Sequence, residues 1–367
     1  MTKKTNIINN TLTYLFTLVL FVLITIFGEK HTTVFWNLIG TLVVGAIISG
    51  LVITFVHELG HVIAGKKNGF AFVSMQVLFF KWTKAKKKIK FSFAMLGNQA
   101  GFTEMVPTSL ENIEKRFANM TKSGFLSTIL LILVGIVPLF ISSLSLWVYS
   151  IWVMFLPVGV YSLCDNALPM NQDGFRNDGA VLLGLKNSDD SSKVMISLLK
   201  IQAEMYNGKT PAEVDEKLYF DLPQLPEDDV NFFMLLNARY NYYLDKKDFD
   251  KAKKTTERLL SLEEYFPKEY LEVAKADALY NACTFDFNEK VADDLTYELE
   301  RYLNSVNNCT NIRIKLAYIL FVKGERDCFE LFYKKGNKEA LKCQIKGLAK
   351  FEQGLLEEIK VKYEQQD

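Results

Sequence analysis

The chain has 367 residues, enough for two domains at roughly 100–200 residues each. Its net charge of +1 lacks the basic excess of a nucleic-acid binder, so nucleic acid is not an expected partner. The 49% hydrophobic and 23% charged residues, with a mean hydropathy of +0.08, blend two unlike parts: an apolar first half and a half rich in Lys, Glu and Asp. The five cysteines (Cys164, Cys283, Cys309, Cys328, Cys343) are odd in number and form no CxxC pair. They read as free thiols in a reducing compartment, not as a disulfide framework or a cysteine zinc site.

Lys3 and Lys4 precede an apolar run from Leu12 to Phe27. The run is long for a signal-peptide core, and "FGEKHTT" is a poor cleavage site, so a retained membrane helix is predicted. Four runs approach the roughly 20 apolar residues that a span needs: Leu12–Gly28, Val34–Gly65, Gly124–Leu144 and Leu146–Leu163. Lys66, Lys67 and the cluster Lys84, Lys86, Lys87, Lys88 and Lys90 lie between the second and third runs, whereas "EKHTT" and "SSLS" hold almost no basic residue. By the positive-inside rule, both termini and the 66–122 segment face the cytoplasm. His31 falls in an outer loop and is read as a bystander.

Between the spans, "FAFVSMQVLFF", "KIKFSFAML" and "QAGFTEMVP" are rich in β-branched and aromatic residues, with a Lys-rich turn after the first. A small sheet at the membrane surface is predicted over 70–107. Beyond Asp189 the composition turns polar and helical. In 226–265, Phe233, Leu236 and Tyr240 mark one helix face and Phe249, Ala252, Thr256 and Leu259 a second. That helix–turn–helix, and another over 314–336 with Gly324 in its turn, have tetratricopeptide-like character. The expected fold is thus mainly α. A polytopic transmembrane helical core with a small membrane-associated β-hairpin or sheet is followed by a soluble α-helical domain. The expected divisions are 1–33 (first helix and outer loop), 34–188 (membrane core) and 189–367 (cytoplasmic helical domain).

Two of the three histidines stand in "TFVHELGHVIAG", from Thr54 to Gly65. On a helix, residues i and i+4 share a face, so His57 and His61 can present imidazole nitrogens to one Zn²⁺ with Glu58 beside them as a general base. Titratable groups inside a span cost several kcal/mol each near its centre, so such a cluster calls for a functional reason. A catalytic zinc takes a third protein ligand, and His31 is on the wrong side. An Asp or Glu near the cytoplasmic end of another span is needed, and "CDNALPMNQDGFRNDGAVLLGL" (164–185) follows the fourth run.

HELGH in one span, then NxxP (Asn166, Pro169) and a later Asp-Gly pair, resembles the site-2 protease family of intramembrane zinc metalloproteases over roughly residues 34–185. The resemblance implies that His57, His61 and the Asp of the DG motif bind zinc, that Glu58 is the general base, and that Asn166 lies near the active site. The commonest family spacing puts four residues between the Pro and the DG. Here Asp173-Gly174 follows Pro169 by three residues and Asp178-Gly179 by eight. Asp178 is favoured because a Leu-rich helix follows it, and Asp173 stays open as the alternative. The resemblance implies a zinc endopeptidase in a bacterial cell membrane, cutting membrane-embedded proteins or peptides. Its helical C-terminal domain would bind substrate tails or a protein partner. A prenyl-protein-processing type of protease also uses HExxH, but the NxxP…DG stretch points away from it. The alternative from another class is a non-catalytic scaffold or immunity-type protein that keeps the fold.

Overall fold

The apolar runs fold as helices because no water is available to the backbone in hydrocarbon, so each segment must satisfy its own N–H and C=O groups. The computed structural model describes residues 3–85, 88–94, 100–172, 174–305 and 308–365, apart from the side chains of 3–5, 85 and 305. Among these residues four helical stretches are long and apolar enough to cross a membrane: Asn6–Gly28, Phe35–Lys67, Ile113–Phe140 and Leu146–Ala167. The chain divides into two compact units. One comprises 1–84, 88–106 and 112–189; the other is 190–367 with 85–87 and 107–111.

The first unit contains helices α1 (Lys3–Gly28), α2 (Phe35–Lys67), α3 (Ile113–Ile136), α4 (Leu146–Val153), α5 (Phe155–Ala167) and α6 (Asp178–Asn187). α2 is its centre and packs against α3, α4 and α5. With 33 residues it is about 50 Å long, well beyond the roughly 30 Å hydrocarbon core. Lys66 and Lys67 in its last turn complement the helix dipole. Outward-facing Leu15, Phe16, Leu18, Val19 and Val22 of α1 stay exposed, as a lipid-facing surface requires. Two polar pairs link helices inside the bundle: Thr41 Oγ1 lies 2.8 Å from Ser150 Oγ, and Tyr149 Oη donates to Ile24 O at 2.7 Å.

Two boundaries differ from those the hydropathy predicts. α3 begins at Ile113, eleven residues before the apolar run, because Glu114, Lys115 and Arg116 interrupt hydropathy without interrupting the helix. The fourth run breaks into α4 and α5 around Met154. Pro157 has no N–H to return to the carbonyl four residues back, which is where a proline parts a helix.

The sheet has four strands in the order β3-β2-β1-β4: β1 (Phe70–Val77), β2 (Phe80–Ala85), β3 (Lys88–Phe93) and β4 (Gly101–Pro107). The three β-rich stretches of the sequence yield these four strands. The apolar stretch "FAFVSMQVLFF" bends at Leu78, whose φ of 51° is left-handed, and β2 returns antiparallel with Val77 opposite Phe80 and Ser74 opposite Thr83. β3 is an exposed edge; its Phe91 stacks on Phe80 of β2 at a ring distance of 6.0 Å, and its Phe93 ring lies tilted to Phe80 at 5.9 Å. Two short strands, β5 (Asn171–Gln172) and β6 (Phe175–Arg176), pair just before α6.

The second unit is helical: α7 (Asp190–Tyr206), α8 (Lys217–Phe220), α9 (Val230–Asp245), α10 (Phe249–Leu260), α11 (Lys268–Thr284), α12 (Glu289–Glu298), α13 (Glu300–Ser305), α14 (Cys309–Phe321), α15 (Phe329–Ala340) and α16 (Lys346–Gln365). Successive helices pair, α9 with α10, α11 with α12 and α14 with α15. The first and last of these pairs are the hairpins read from sequence, with Gly324 in the left-handed region at φ 65°. A polar cluster sits in the core: buried Arg313 pairs with Glu352 at 2.8 Å and lies over the Tyr280 ring at 4.0 Å. Burial beside that pair pushes the Asp277 carboxyl up to about 7. All five cysteines are free thiols.

Candidate metal centre

The helical period of α2 stacks His57 and His61 one turn apart, with Glu58 next to them. All three are withdrawn from solvent, at 5%, 8% and 7% exposure. Each imidazole is oriented through its Nδ1. That of His57 lies 3.0 Å from Thr128 Oγ1, and that of His61 lies 3.0 Å from the carbonyl of Met120, both partners on α3. A ring held at Nδ1 presents Nε2 to a metal, and such outer partners commonly fix metal-binding histidines. The two Nε2 atoms face each other at 3.2 Å.

α6 brings the third group. Its first residue is Asp178, whose Oδ2 stands 3.3 Å from His57 Nε2 and 3.2 Å from His61 Nε2. This oxygen is buried, and no hydrogen bond reaches it. The three atoms therefore form a nearly equilateral triangle with edges of 3.2, 3.2 and 3.3 Å. Ligands at about 2.0–2.1 Å from a tetrahedral ion are necessarily about 3.3 Å apart, so two imidazoles and one carboxylate in this arrangement fit Zn²⁺ with one position left open. His57, His61 and Asp178 are also the residues whose ligand atoms gather closely enough to hold an ion among the described residues.

Glu58 is beside this triangle and not part of it. Its Oε2 accepts a hydrogen bond from Thr103 Oγ1 at 2.6 Å. Thr103 belongs to β4, an edge of the sheet, and Gly101 of the same strand lies against the Glu58 side chain.

Asn166 is in the last turn of α5 and donates its amide to Ser162 O at 2.9 Å, within its own helix; its side chain is not in the triangle. Asp173 lies outside the described residues. His31 stacks on Tyr149 at 4.2 Å, and its Nδ1 lies 2.9 Å from Leu144 O, so it is used elsewhere.

Residues that sequence reasoning did not single out complete the centre: Thr103, Thr128, the Met120 carbonyl and Gly124. A Cβ on Gly124 would lie 2.6 Å from His57 Nε2 and 2.7 Å from His61 Cε1. The glycine therefore leaves this side of both rings open. Gly124→Ala is expected to cut zinc retention by at least about 10-fold, the scale of an outer-shell disturbance. Alanine favours a helix over glycine by about 1 kcal/mol, so the fold should persist. Zinc content after dialysis, set beside the circular dichroism spectrum, checks both parts.

A family model described as Peptidase family M50 matches residues 45–330, which include HELGH, the β-sheet, α3 to α6 and most of the second unit. No curated protein and no solved structure matches the chain.

Proposed function

From the premise that the chain belongs to peptidase family M50, a family of membrane-embedded metalloproteases, we propose that it is a zinc endopeptidase hydrolysing peptide bonds of membrane-embedded proteins or peptides. The observation that carries this reading is the triangle of His57 Nε2, His61 Nε2 and Asp178 Oδ2, buried beside a carboxylate that is not part of it. His57, His61 and Asp178 would hold the ion. Zinc, when bound, polarises the peptide carbonyl and lowers the pKa of water to about 7.

The remaining work falls to the chain. Glu58, aimed by the Thr103 hydroxyl, accepts a proton from the attacking water at a carboxylate oxygen and delivers it to the leaving amine nitrogen. Asn166 is proposed as a donor to the substrate carbonyl oxygen as negative charge develops there.

A substrate helix must unwind before its backbone can be cut. β4 is the strand of the sheet that touches Glu58, so the unwound segment would add to the sheet along β4 and bring its scissile bond to the carboxylate. His57 is about 33 Å along α2 from Phe35, so a site set near the far boundary of the hydrocarbon is expected if α2 spans it. The lysines flanking the spans support a cytoplasmic placement of that end, and of the second unit. Paired helices such as those of the second unit offer surfaces for substrate tails or a protein partner.

Purified protein is expected to carry about one zinc per chain, and a chelator should stop cleavage of a membrane-spanning peptide until zinc is restored. Protein without stoichiometric zinc would overturn the protease reading in favour of a non-catalytic scaffold.

A further inference from the structure

Between the end of α5 and the start of α6, which delivers Asp178, the described residues 168–172 and 174–177 form no helix and only the two short strands β5 and β6. Beside apolar spans, each carbonyl left without a donor is costly, and such backbone persists only where protein groups satisfy it. Here three asparagine amides do so. Asn177 Nδ2 donates to the carbonyls of Asp165 at 2.6 Å and Leu168 at 2.7 Å. Asn9 of α1 donates to Pro169 O at 3.1 Å, and Asn6 to Asn171 O at 2.5 Å.

Asn177 does more than close carbonyls. Its Oδ1 accepts from Ala180 N at 2.9 Å, which caps α6, and from Met170 N at 3.0 Å. Its own N–H donates to Met170 O at 3.2 Å. Both amide hydrogens and both acceptor positions of the carboxamide are therefore used. On the other side of Asp178, Gly179 sits against the carbonyl of Ala167 so closely that no side chain would fit. The N-terminus of α6 is thus laid on the C-terminal end of α5 from both sides of the ligand. α1 takes part although it lies outside the residues that the family model matches.

We propose that Asn177 is a positioning residue for Asp178: its carboxamide, aided by Asn9 and Asn6, locks the 165–171 backbone to the first turn of α6 and so sets where the carboxylate meets the two histidines. The inference rests on the metalloprotease reading. A plain helix cap would need only one acceptor, which serine supplies. Positioning also needs the two amide donations, which serine cannot make. Asn177→Ser separates the two roles.

The experiment uses full-length protein in detergent. Zinc affinity is measured by competition with a chromogenic chelator, and coordination geometry from the visible absorption of the cobalt(II)-loaded protein. Asn177→Ser is expected to keep the wild-type circular dichroism spectrum, to lose about 10–100-fold in zinc affinity and to show an altered cobalt spectrum. Equal affinity and an identical spectrum overturn the proposal alone. Wild-type protein that takes up neither metal overturns the protease reading and this inference with it. If Asn177→Ser does not fold, Asn9→Ala removes one amide from the same backbone without touching α6. It is expected to weaken zinc binding by a smaller factor, and unchanged affinity there overturns the proposal.

Discussion

Glu58→Ala is expected to abolish cleavage of a membrane-embedded substrate while the purified protein keeps its zinc. The separation follows from the geometry. The three atoms that would bind the ion belong to His57, His61 and Asp178, so removing Glu58 leaves the donor set whole. What disappears is the group proposed to move the proton from water to the leaving nitrogen. Positioned acid–base groups contribute about 10²–10⁴-fold, so cleavage should fall by at least that order. Glu58→Gln is a stricter version. Its amide oxygen can still accept from the Thr103 hydroxyl, so the side chain stays oriented but accepts no proton. Both variants should be inactive and zinc-replete. Undiminished cleavage by either one overturns the mechanism, and loss of zinc from both would instead make Glu58 part of the metal site. Because the inactive variants keep the fold and the metal, substrates should accumulate intact beside them. A comparison of membrane proteomes from cells carrying wild type and Glu58→Ala would then name the substrate class.

The distribution of what was legible in the sequence has a physical basis. Spans are set by runs of one property along the chain, so four apolar stretches were visible. Their boundaries were not, because α3 continues through Glu114, Lys115 and Arg116, where hydropathy fails but helix propensity does not. The β1–β2 turn was hidden for a related reason. Leu78 adopts a left-handed conformation without the glycine or asparagine that normally announces one. "VLFF" therefore read as the end of one strand, although it holds the turn between two.

The centre shows the same division. His57, Glu58 and His61 lie within five residues, and helical periodicity alone brings them together. Asp178 could be approached because a Leu-rich helix follows it and because the NxxP…DG stretch resembles a known family. Thr128 and the Met120 carbonyl orient the imidazoles from 71 and 59 residues away in the chain. Thr103 reaches Glu58 across 45 residues. No local pattern marks a threonine or a carbonyl for such a role; it exists only once α2, α3 and β4 have packed. Asn177 is intermediate. An Asn before an acidic residue and an apolar run is a legible helix start, and the structure uses it as the cap of α6. Its two donations back to Asp165 and Leu168 had no sequence signal.

The choice between the two aspartates yields the sharpest test of the proposed ligand set. Asp178→Ala is expected to lose zinc and cleavage together, whereas Asp173→Ala keeps both. In the proposed set Asp178 supplies one of three donor atoms, and removing such a ligand should cost more than the roughly 10–100-fold associated with an outer partner. It also removes one corner of the triangle, because two imidazoles alone leave half of a tetrahedral ion's positions to solvent. Loss of fold is not the expected route. Asp178 occupies the first turn of α6, where a carboxylate contributes about 0.3–1 kcal/mol through the helix dipole, while the cap itself comes from Asn177. Its Oδ2 accepts no hydrogen bond that the substitution would leave unmatched. Asp178→Asn refines the experiment by keeping the volume and removing the charge, and it should lose zinc nearly as completely, since a neutral amide is a weak zinc donor. If Asp173→Ala instead released the metal while Asp178→Ala retained it and remained active, the motif spacing of three residues after Pro169 would be the operative one. The buried Oδ2 of Asp178, 3.2 and 3.3 Å from the two imidazole nitrogens, would then need another explanation.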